Sequence, residues 1–232
     1  MNSSFTAAEL LLEHATHQRV YQTSCEYREH VDPYLADYAT RHPEMAQQSS
    51  WFSVIEEVPT GDGGIRQTFS LKDIVIRGKS DFTLLEKQLD IELPGFFRDF
   101  YNQIQVAVLA LLNPIVIYDV AEMLEVAALH QQIDIENGNP AKPTHILRFA
   151  AMPPFPARFA IRRRPADGIW KVVSVSDESL HEELWTERFW PESCQETMDQ
   201  WMRRLLETDG SPLAVGRSYP PPLWRADMRR VS

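Results

Sequence analysis

Residues 84–101 read LLEKQLDIELPGFFRDFY, and this stretch decides how the middle of the chain folds. Pro94 disfavours helical geometry at the residue before it, so a helix over the acidic first half is expected to end near Asp90. Proline also has a preset φ that suits the first turn of a helix, so a second helix, GFFRDFYNQI, is predicted to open on Pro94. The buried stripe of this second helix is predicted to consist of Phe96, Phe97, Phe100 and Ile104.

Three helix starts are indicated by capping boxes, in which a short polar side chain and an acidic residue three positions later each accept a hydrogen bond from the other's backbone amide. Each box predicts that a helix begins at the residue after the first member. Ser80 is an alternative cap for the second of the three helices. The three pairs are Thr6 with Glu9, Thr83 with Glu86, and Asp119 with Glu122.

The first fifty residues are predicted to be helical. Residues 10–12 are three leucines that start an apolar face. Pro33 is expected to begin a new helix, because proline is tolerated in a first turn but disrupts a helix interior, and Pro43 is expected to help end the region. The apolar face is predicted to continue at mixed three- and four-residue spacing through Val20, Tyr27, Val31, Tyr34, Leu35 and Tyr38.

Segments rich in β-branched and aromatic residues predict the strands. Residues 51–58 and 66–77 flank the sequence PTGDGG, whose glycines supply turn conformations, so a hairpin is predicted. A phosphate-binding loop at Gly61, Gly63 and Gly64 is the alternative, but it would require a following helix, and strand-like residues follow instead. Four further strands are predicted over IVIY (115–118), HILRFA, ARFAIRR and IWKVVSVS.

The order of the elements predicts an α+β fold with a mostly antiparallel central sheet flanked by helices. A late helix over SCQETMDQWMRRLLE presents Met198, Trp201, Met202 and Leu205 on one face. Three regions are predicted along the chain. Residues 1–79 form a helical and hairpin N-terminal extension, residues 80–207 form the α+β domain, and residues 208–232 form a proline-rich C-terminal tail.

The formal net charge of −10 argues against non-specific nucleic-acid binding, which needs a basic surface, and favours a basic protein partner. The N-terminus has no basic segment ahead of an apolar one, so no targeting signal is predicted. The longest apolar run, residues 106–112, is far shorter than the ~20 residues that span a bilayer. A cytoplasmic protein with no membrane partner is expected, and Cys25 and Cys194 are expected to be reduced.

Neither a catalytic residue nor a metal or cofactor is predicted. His14 and His17 share one helix face, but a zinc site needs three or four ligands, so exposed helix polarity is favoured. Cys194 and His181 suggest a thiol nucleophile but have no orienting partner in the sequence. Residues 162–164 are three arginines, for which a phosphate contact is the alternative interpretation; a solvated strand end is favoured in a protein of this charge.

Residues 177–187 read DESLHEELWTE and carry five acids with no Lys or Arg. One interpretation is the solvated start of a helix, where carboxylates face the positive end of the dipole. The other is an acidic docking face for a cationic partner, with an aromatic anchor in its centre. Trp190 fits either core or interface. The candidate partner-binding residues are Asp177, Glu178, Glu182, Glu183, Trp185 and Glu187.

The sequence LEKQLDIELPGFFRDFY resembles the opening signature of the SUKH superfamily, in which a glutamate-bearing helix, a Leu-Pro link and an aromatic helix follow one another. VIYDVAEMLE is similar to that family's strand and following helix, HILRFA and ARFAIRRRPADGIWKVVSVSDES to its central strands, and SCQETMDQWMRRLL to its closing helix. The resemblance covers residues 80–207. Two departures are Gln105-Val-Ala-Val in place of Asn-Gly, and MPPFPA in place of a turn rich in glycine and aspartate.

The resemblance implies a binding protein without catalysis. Members of the superfamily are mostly bacterial immunity proteins, encoded beside polymorphic or secreted toxins of bacterial competition, type VI secretion included. The chain is therefore expected to bind a cognate toxin with a basic surface and to neutralise it by occlusion. The alternative that the same resemblance allows is a non-catalytic regulatory or scaffold protein of the SUKH-like fold.

Overall fold

The computed structural model describes residues 5–23, 41–46, 52–111, 113–136, 146–152, 157–163, 168–176, 196–210 and 229–230. The helices are α1 Ala7–His14, α2 Pro43–Ala46, α3 Thr83–Leu89, α4 Gly95–Tyr101, α5 Val120–Glu136 and α6 Met198–Glu207. The strands are β1 Arg19–Thr23, β2 Phe52–Pro59, β3 Ile65–Leu71, β4 Ile74–Arg77, β5 Ile104–Leu109, β6 Ile115–Ile117, β7 Ile146–Ala151, β8 Ala157–Arg163, β9 Trp170–Ser176 and β10 Arg229–Arg230.

The strands form two antiparallel sheets. The smaller sheet has four strands in the order β10-β1-β3-β2, and the larger has six in the order β4-β5-β6-β7-β8-β9. In the larger sheet every strand lies beside its sequence neighbour, which is the simplest way to lay down an antiparallel meander. The predicted α+β fold class, with an antiparallel central sheet and flanking helices, is confirmed.

Helices cover one face of the larger sheet. Phe97 of α4, Phe149 of β7 and Trp201 of α6 are fully buried there. The Phe97 ring meets Phe149 edge-on at 5.5 Å, and Phe149 meets Trp201 in the same way at 5.0 Å, which is a favoured geometry for aromatic pairs. The predicted buried face of the closing helix is confirmed for all four residues, Met198, Trp201, Met202 and Leu205.

The smaller sheet packs on the other face of the larger one, over β4, β5 and β6. Ala107 and Leu109 of β5 contact the helix-side core, whereas Val106 and Val108 contact Phe69 and its neighbours in the smaller sheet. This alternation follows from the two-residue period of a strand. Strand β5 is apolar on both faces because each face is covered, which explains its near-continuous apolar sequence.

The connection between α3 and α4 follows the prediction closely. Helix α3 ends at Leu89, and Asp90 adopts a left-handed φ of 53° as its C-cap. Pro94 precedes the first helical residue of α4, and its carbonyl accepts from the backbone of Phe97. Phe97 and Phe100 are buried and Phe96 is half-buried. Ile104 was predicted to belong to this helix, which is wrong: α4 ends at Tyr101 and Ile104 begins β5.

Capping boxes are confirmed at two of the three predicted helix starts. Thr6 with Glu9 and Asp119 with Glu122 form the reciprocal hydrogen bonds. The third prediction is wrong, because Asp81 rather than Thr83 accepts the early amide of α3. The Glu86 carboxylate instead accepts from the Leu93 N–H at 2.7 Å and from Arg98, so it joins α3 to α4.

The wholly helical N-terminal region is a wrong prediction. Helix α1 ends at His14, and Val20 lies in strand β1 instead of continuing a helical face. Strand β1 pairs with β3 along its whole length, a partner that no local pattern reveals. Pro43 begins the short helix α2 and does not end the region. Pro33 and the predicted face from Tyr27 to Tyr38 lie outside the described residues.

The segment 66–77 was predicted as one strand of the hairpin and is in fact two strands. Strand β3 ends at Leu71 in the smaller sheet, and β4 begins at Ile74 in the larger one. The chain therefore changes sheet at Lys72 and Asp73. The larger sheet thus begins before residue 80, and α1 buries Ala7, Ala8 and Leu11 in the same core as α4 and α6.

Candidate binding surface

The hairpin of β2 and β3 carries four of the eight large apolar side chains that are exposed in the described part of the chain. It pairs from Phe52 opposite Leu71 at its base to Pro59 opposite Ile65 at its tip. The turn is closed by a hydrogen bond from the Thr60 N–H to the Gly64 carbonyl at 2.8 Å, and Gly63 has a φ of 87°, which glycine adopts without strain. The predicted hairpin is confirmed.

The base of the hairpin belongs to the core. Phe52 stacks on Phe69 with ring centroids 4.9 Å apart, and Leu71 is fully buried. Toward the tip the same strands leave the cover of the larger sheet. Four apolar residues remain in solvent there, with exposed fractions of 43% for Val54, 56% for Ile55, 45% for Val58 and 53% for Ile65. Val58, opposite Arg66, and Ile65, opposite Pro59, lie on different faces, so the tip exposes apolar area on both faces. Exposed apolar area of this kind is typical of interaction sites.

Strand β2 is also an edge strand of the smaller sheet. A bulge between Val54 and Glu56 interrupts its pairing with β3. Glu56 lies opposite Thr68, and Glu57 lies opposite Gln67, whose side-chain amide donates to the Glu57 carboxylate at 2.7 Å. The two carboxylates therefore lie on opposite faces of the strand, on either side of one exposed backbone edge.

The turn adds a third carboxylate. Hydrogen bonds from the Thr60 hydroxyl and from the Gly64 N–H hold the pKa of Asp62 below its ordinary value. Residues 52–65 carry three carboxylates and no Lys or Arg. The outer strand and the turn of the hairpin are therefore apolar and acidic, and Arg66 of β3, which is exposed opposite Val58, is the one Lys or Arg of residues 52–71. An apolar surface with an excess of carboxylates fits a partner that is both apolar and basic.

The six predicted partner-binding residues all lie outside the described residues, so their prediction stands untested: Asp177, Glu178, Glu182, Glu183, Trp185 and Glu187. The same is true of Trp190, Cys25, Cys194 and His181. The acidic docking face over residues 177–187 therefore remains a prediction, independent of the hairpin.

The arginines at 162–164 were predicted to form a solvated strand end, which is wrong for Arg162. Its side chain is 4% exposed, opposite Lys171 within the larger sheet, because β9 continues to pair beyond it. Burial lowers the pKa of Arg162. Arg163 is exposed, as predicted, and residue 164 lies outside the described part of the chain.

His14 was predicted to be exposed helix polarity, and this is also wrong. Its Nδ1 lies 2.7 Å from the buried Asp73 carboxylate. Arg19 Nη2 donates to Asp73 Oδ1 at 2.6 Å and to the Ala110 carbonyl at 2.9 Å, and the Ala110 N–H donates to the same carboxylate at 2.8 Å. We call these four residues the Asp73 cluster. His17 is exposed, as predicted.

The Asp73 cluster joins the layers of the fold at the point where the chain changes sheet. Burial acts to raise the pKa of Asp73, but the hydrogen bond with His14 and the charge of Arg19 outweigh burial and hold that pKa below its ordinary value. Asp73 is therefore ionised at neutral pH and paired with Arg19, which is 1% exposed. The Asp73 carboxylate is hydrogen-bonded to His14, Arg19 and Ala110, all within the fold, so the cluster has a structural role.

A second polar cluster lies at the start of α5. The His42 ring is 3.3 Å from Glu122 and 3.4 Å from Glu44, and Arg41 donates to Glu122 at 3.2 Å. The nearby Tyr101 hydroxyl donates to the Tyr118 carbonyl at 3.0 Å, and burial raises its pKa well above the ordinary value. Within the described residues no three His, Cys, Asp or Glu side chains are arranged to hold a metal ion.

The chain matches no protein-family model, no curated protein and no solved structure. None of the helices in the described part of the chain combines the length and the apolarity needed to cross a membrane. The hairpin residues were recognised from sequence only as strand residues. The sequence signal was the pair Glu56 and Glu57 between apolar residues and ahead of a glycine-rich turn. Sequence alone does not show which strand residues remain exposed.

Proposed function

We propose that this chain is a non-catalytic immunity protein that binds a cognate bacterial toxin in the cytoplasm and neutralises it by occlusion. The observation that carries the proposal is the exposed, acidic and apolar tip of the β2–β3 hairpin. The resemblance of residues 80–207 to the SUKH superfamily names the class of partner. The α+β fold, with the aromatic helix α4 packed against an antiparallel sheet, is what that resemblance leads one to expect.

The chemistry of the hairpin suits recognition of a basic protein. Val54 and Ile65 supply apolar surface that becomes buried when the partner binds, and a few buried anchor residues dominate the affinity of an interface. Glu56, Glu57 and Asp62 attract a basic partner over longer distances and raise the association rate. A stable interface buries roughly 800 Å² on each partner, more than a hairpin tip offers, so the hairpin is proposed to be one part of a larger interface.

Co-expression with the toxin encoded by the adjacent gene tests the proposal. Wild-type protein is expected to restore growth and to elute with the toxin on size exclusion. The double variant Val54→Ser with Ile65→Ser should weaken the complex at least about tenfold, since each removes an exposed anchor. The matched control is Leu84→Ser with Leu129→Ser, which changes two exposed leucines elsewhere and should bind as wild type does.

Absence of both rescue and complex would remove the immunity function. Capture of a resident protein of the same cell at the hairpin, with no toxin gene in the neighbourhood, would favour the regulatory or scaffold alternative. Equal loss of toxin binding in the hairpin and control variants would show that general surface hydrophobicity, and not the hairpin, determines binding.

A further inference from the structure

We propose that the outer edge of β2 receives an extended strand of the partner, with basic residues at two successive positions and an apolar residue on either side of them. The proposal rests on the proposed function only in taking the partner to be a toxin. The mode of binding, addition of a strand to a sheet edge, is argued from the hairpin itself.

Among the described residues no strand lies beside the outer edge of β2 from Val54 to Val58, and the bulge between Val54 and Glu56 breaks the regularity of that edge only at its start. Strand β2 is the last strand of the smaller sheet, and within the described residues its ladder is made with β3 alone. All residues of β2 after Phe52 are exposed. A row of backbone N–H and C=O groups facing solvent is a template for another strand, because main-chain hydrogen bonds supply affinity without requiring a particular sequence.

Charge selects the partner over a second copy of this chain. An antiparallel pair of two β2 edges would bring Glu56 and Glu57 of one copy beside the same residues of the other, and like charges directly across a strand pair are destabilising. Lys or Arg opposite each carboxylate is favourable instead. The two adjacent glutamates therefore protect the edge from self-association while leaving it open to a basic strand.

The side-chain order along β2 defines what the partner strand must carry. Glu56 and Glu57 lie on opposite faces, opposite Thr68 and Gln67, so a complementary strand needs a basic residue on each face in succession. Exposed Ile55 and Val58 flank the pair along the chain, so apolar residues of a partner strand would be favourable beside them. Pro59 donates no backbone hydrogen bond and limits the paired length at the tip. The complementary pattern is apolar, basic, basic, apolar.

The test uses the full chain and a short synthetic peptide centred on Val-Lys-Lys-Val, with a Val-Glu-Glu-Val peptide for comparison. Titration followed by backbone amide chemical shifts should show saturable shifts confined to residues 54–58 and their β3 neighbours with the lysine peptide. The double variant Glu56→Lys with Glu57→Lys should lose affinity for it about tenfold or more, and should gain affinity for the glutamate peptide.

Two controls separate strand addition from simple charge attraction. The variant Glu125→Lys with Glu207→Lys makes the same change in net charge at two exposed helix positions and should bind the lysine peptide as wild type does. Peptides N-methylated on alternate residues lose the donors of one edge only. One methylation pattern should abolish binding and the other should preserve it, because a strand pairs through a single edge.

Shifts spread over the acidic surface, equal binding of the two peptides, or indifference to N-methylation would overturn the proposal, as would concentration-dependent pairing of two copies through residues 54–58. Toxin rescue distinguishes this failure from failure of the proposed function. If the peptide binds but the protein does not rescue cells from the toxin, strand addition at β2 is supported and the immunity function is rejected. If the protein rescues cells but the amide hydrogens of residues 54–58 are not protected in the toxin complex, strand addition at β2 is rejected and the immunity function is supported.

Discussion

The helix-covered face of the larger sheet and the β2–β3 hairpin are both rich in apolar residues, yet they place them in opposite environments. Phe97 and Trp201 are 0% exposed, whereas Ile55 and Ile65 retain 56% and 53% of their exposure. Burial of a large apolar side chain stabilises a fold by roughly 1.5–3 kcal/mol, so the hairpin tip forgoes stability that the core obtains. The difference indicates that the core residues maintain the fold and that the tip residues are free for a partner.

Removal of a core aromatic should have the largest effect. Phe97→Ala is expected to lower the free energy of unfolding by about 3–5 kcal/mol, because it removes buried area and leaves a cavity between α4 and β7. Phe5→Ala is the matched control, since Phe5 is 43% exposed, and should cost less than about 1 kcal/mol. Urea denaturation followed by circular dichroism measures both. Similar losses in the two variants would contradict the assignment of the core.

The Asp73 cluster should come next. Asp73→Asn leaves Arg19 buried without a counter-charge, and loss of one partner of a buried pair costs about 3 kcal/mol. The same substitution at exposed Asp62 of the hairpin should leave the free energy of unfolding close to that of the wild type. Chemical denaturation at neutral pH compares the two variants. A stable Asp73→Asn protein would mean that the cluster does not join the layers.

The pH dependence of stability should separate the same two regions. Because the folded-state pKa of Asp73 is lowered by His14 and Arg19, its contribution is present above the unfolded pKa of about 3.9 and is lost as the pH falls through the folded value. The difference in stability between wild type and Asp73→Asn should shrink as the pH falls below about 4, where Asp73 becomes protonated. A difference that persisted unchanged into strong acid would contradict this sign.

The hairpin tip should show the smallest effect on stability. Val58→Ser and Ile65→Ser remove exposed side chains and are expected to change the free energy of unfolding by no more than about 0.5 kcal/mol. Thermal unfolding of each variant, with Phe97→Ala beside it, makes the comparison. A loss above about 1 kcal/mol would place these residues in contact with the fold and weaken the case for a binding surface.

Local signals predicted much of the secondary structure. The turn sequence PTGDGG predicted the hairpin, Pro94 predicted the junction of α3 and α4, and the 3–4 spacing after Thr197 predicted the buried face of α6. These signals succeed because a turn, a proline and an amphipathic face each act within a few residues. The same reasoning missed the capping box of Thr197 and Gln200, although its spacing was present in the sequence.

Predictions failed where a distant residue decided the outcome. The spacing of Thr83 and Glu86 predicted a capping box, but the Glu86 carboxylate is engaged by Leu93 and Arg98 beyond the end of the helix. Strand β1 was predicted as helix because its partner β3 lies far along the chain. Local propensity is weak enough that a tertiary contact of this kind overrides it.

Of the two candidate binding surfaces, one could be recognised from the sequence and the other could not. The acidity of residues 177–187 was evident from composition, since a run of carboxylates needs no fold to be recognised. The hairpin surface was not recognised, because the apolar residues of β2 and of β5 look alike in sequence. Strand β5 is covered on both faces, and β2 is not.

The amino-acid sequence by itself determined the α+β class, the position of the hairpin turn and the stripe of aromatic residues on α4, because each depends on spacing along a few consecutive residues. Only the tertiary structure decided that the chain changes sheet at Asp73, that Arg19 and His14 meet that carboxylate, and that the tip of β2 stays uncovered. A repeating pattern states which side chains share a face, whereas burial depends on whether another segment of the chain reaches that face.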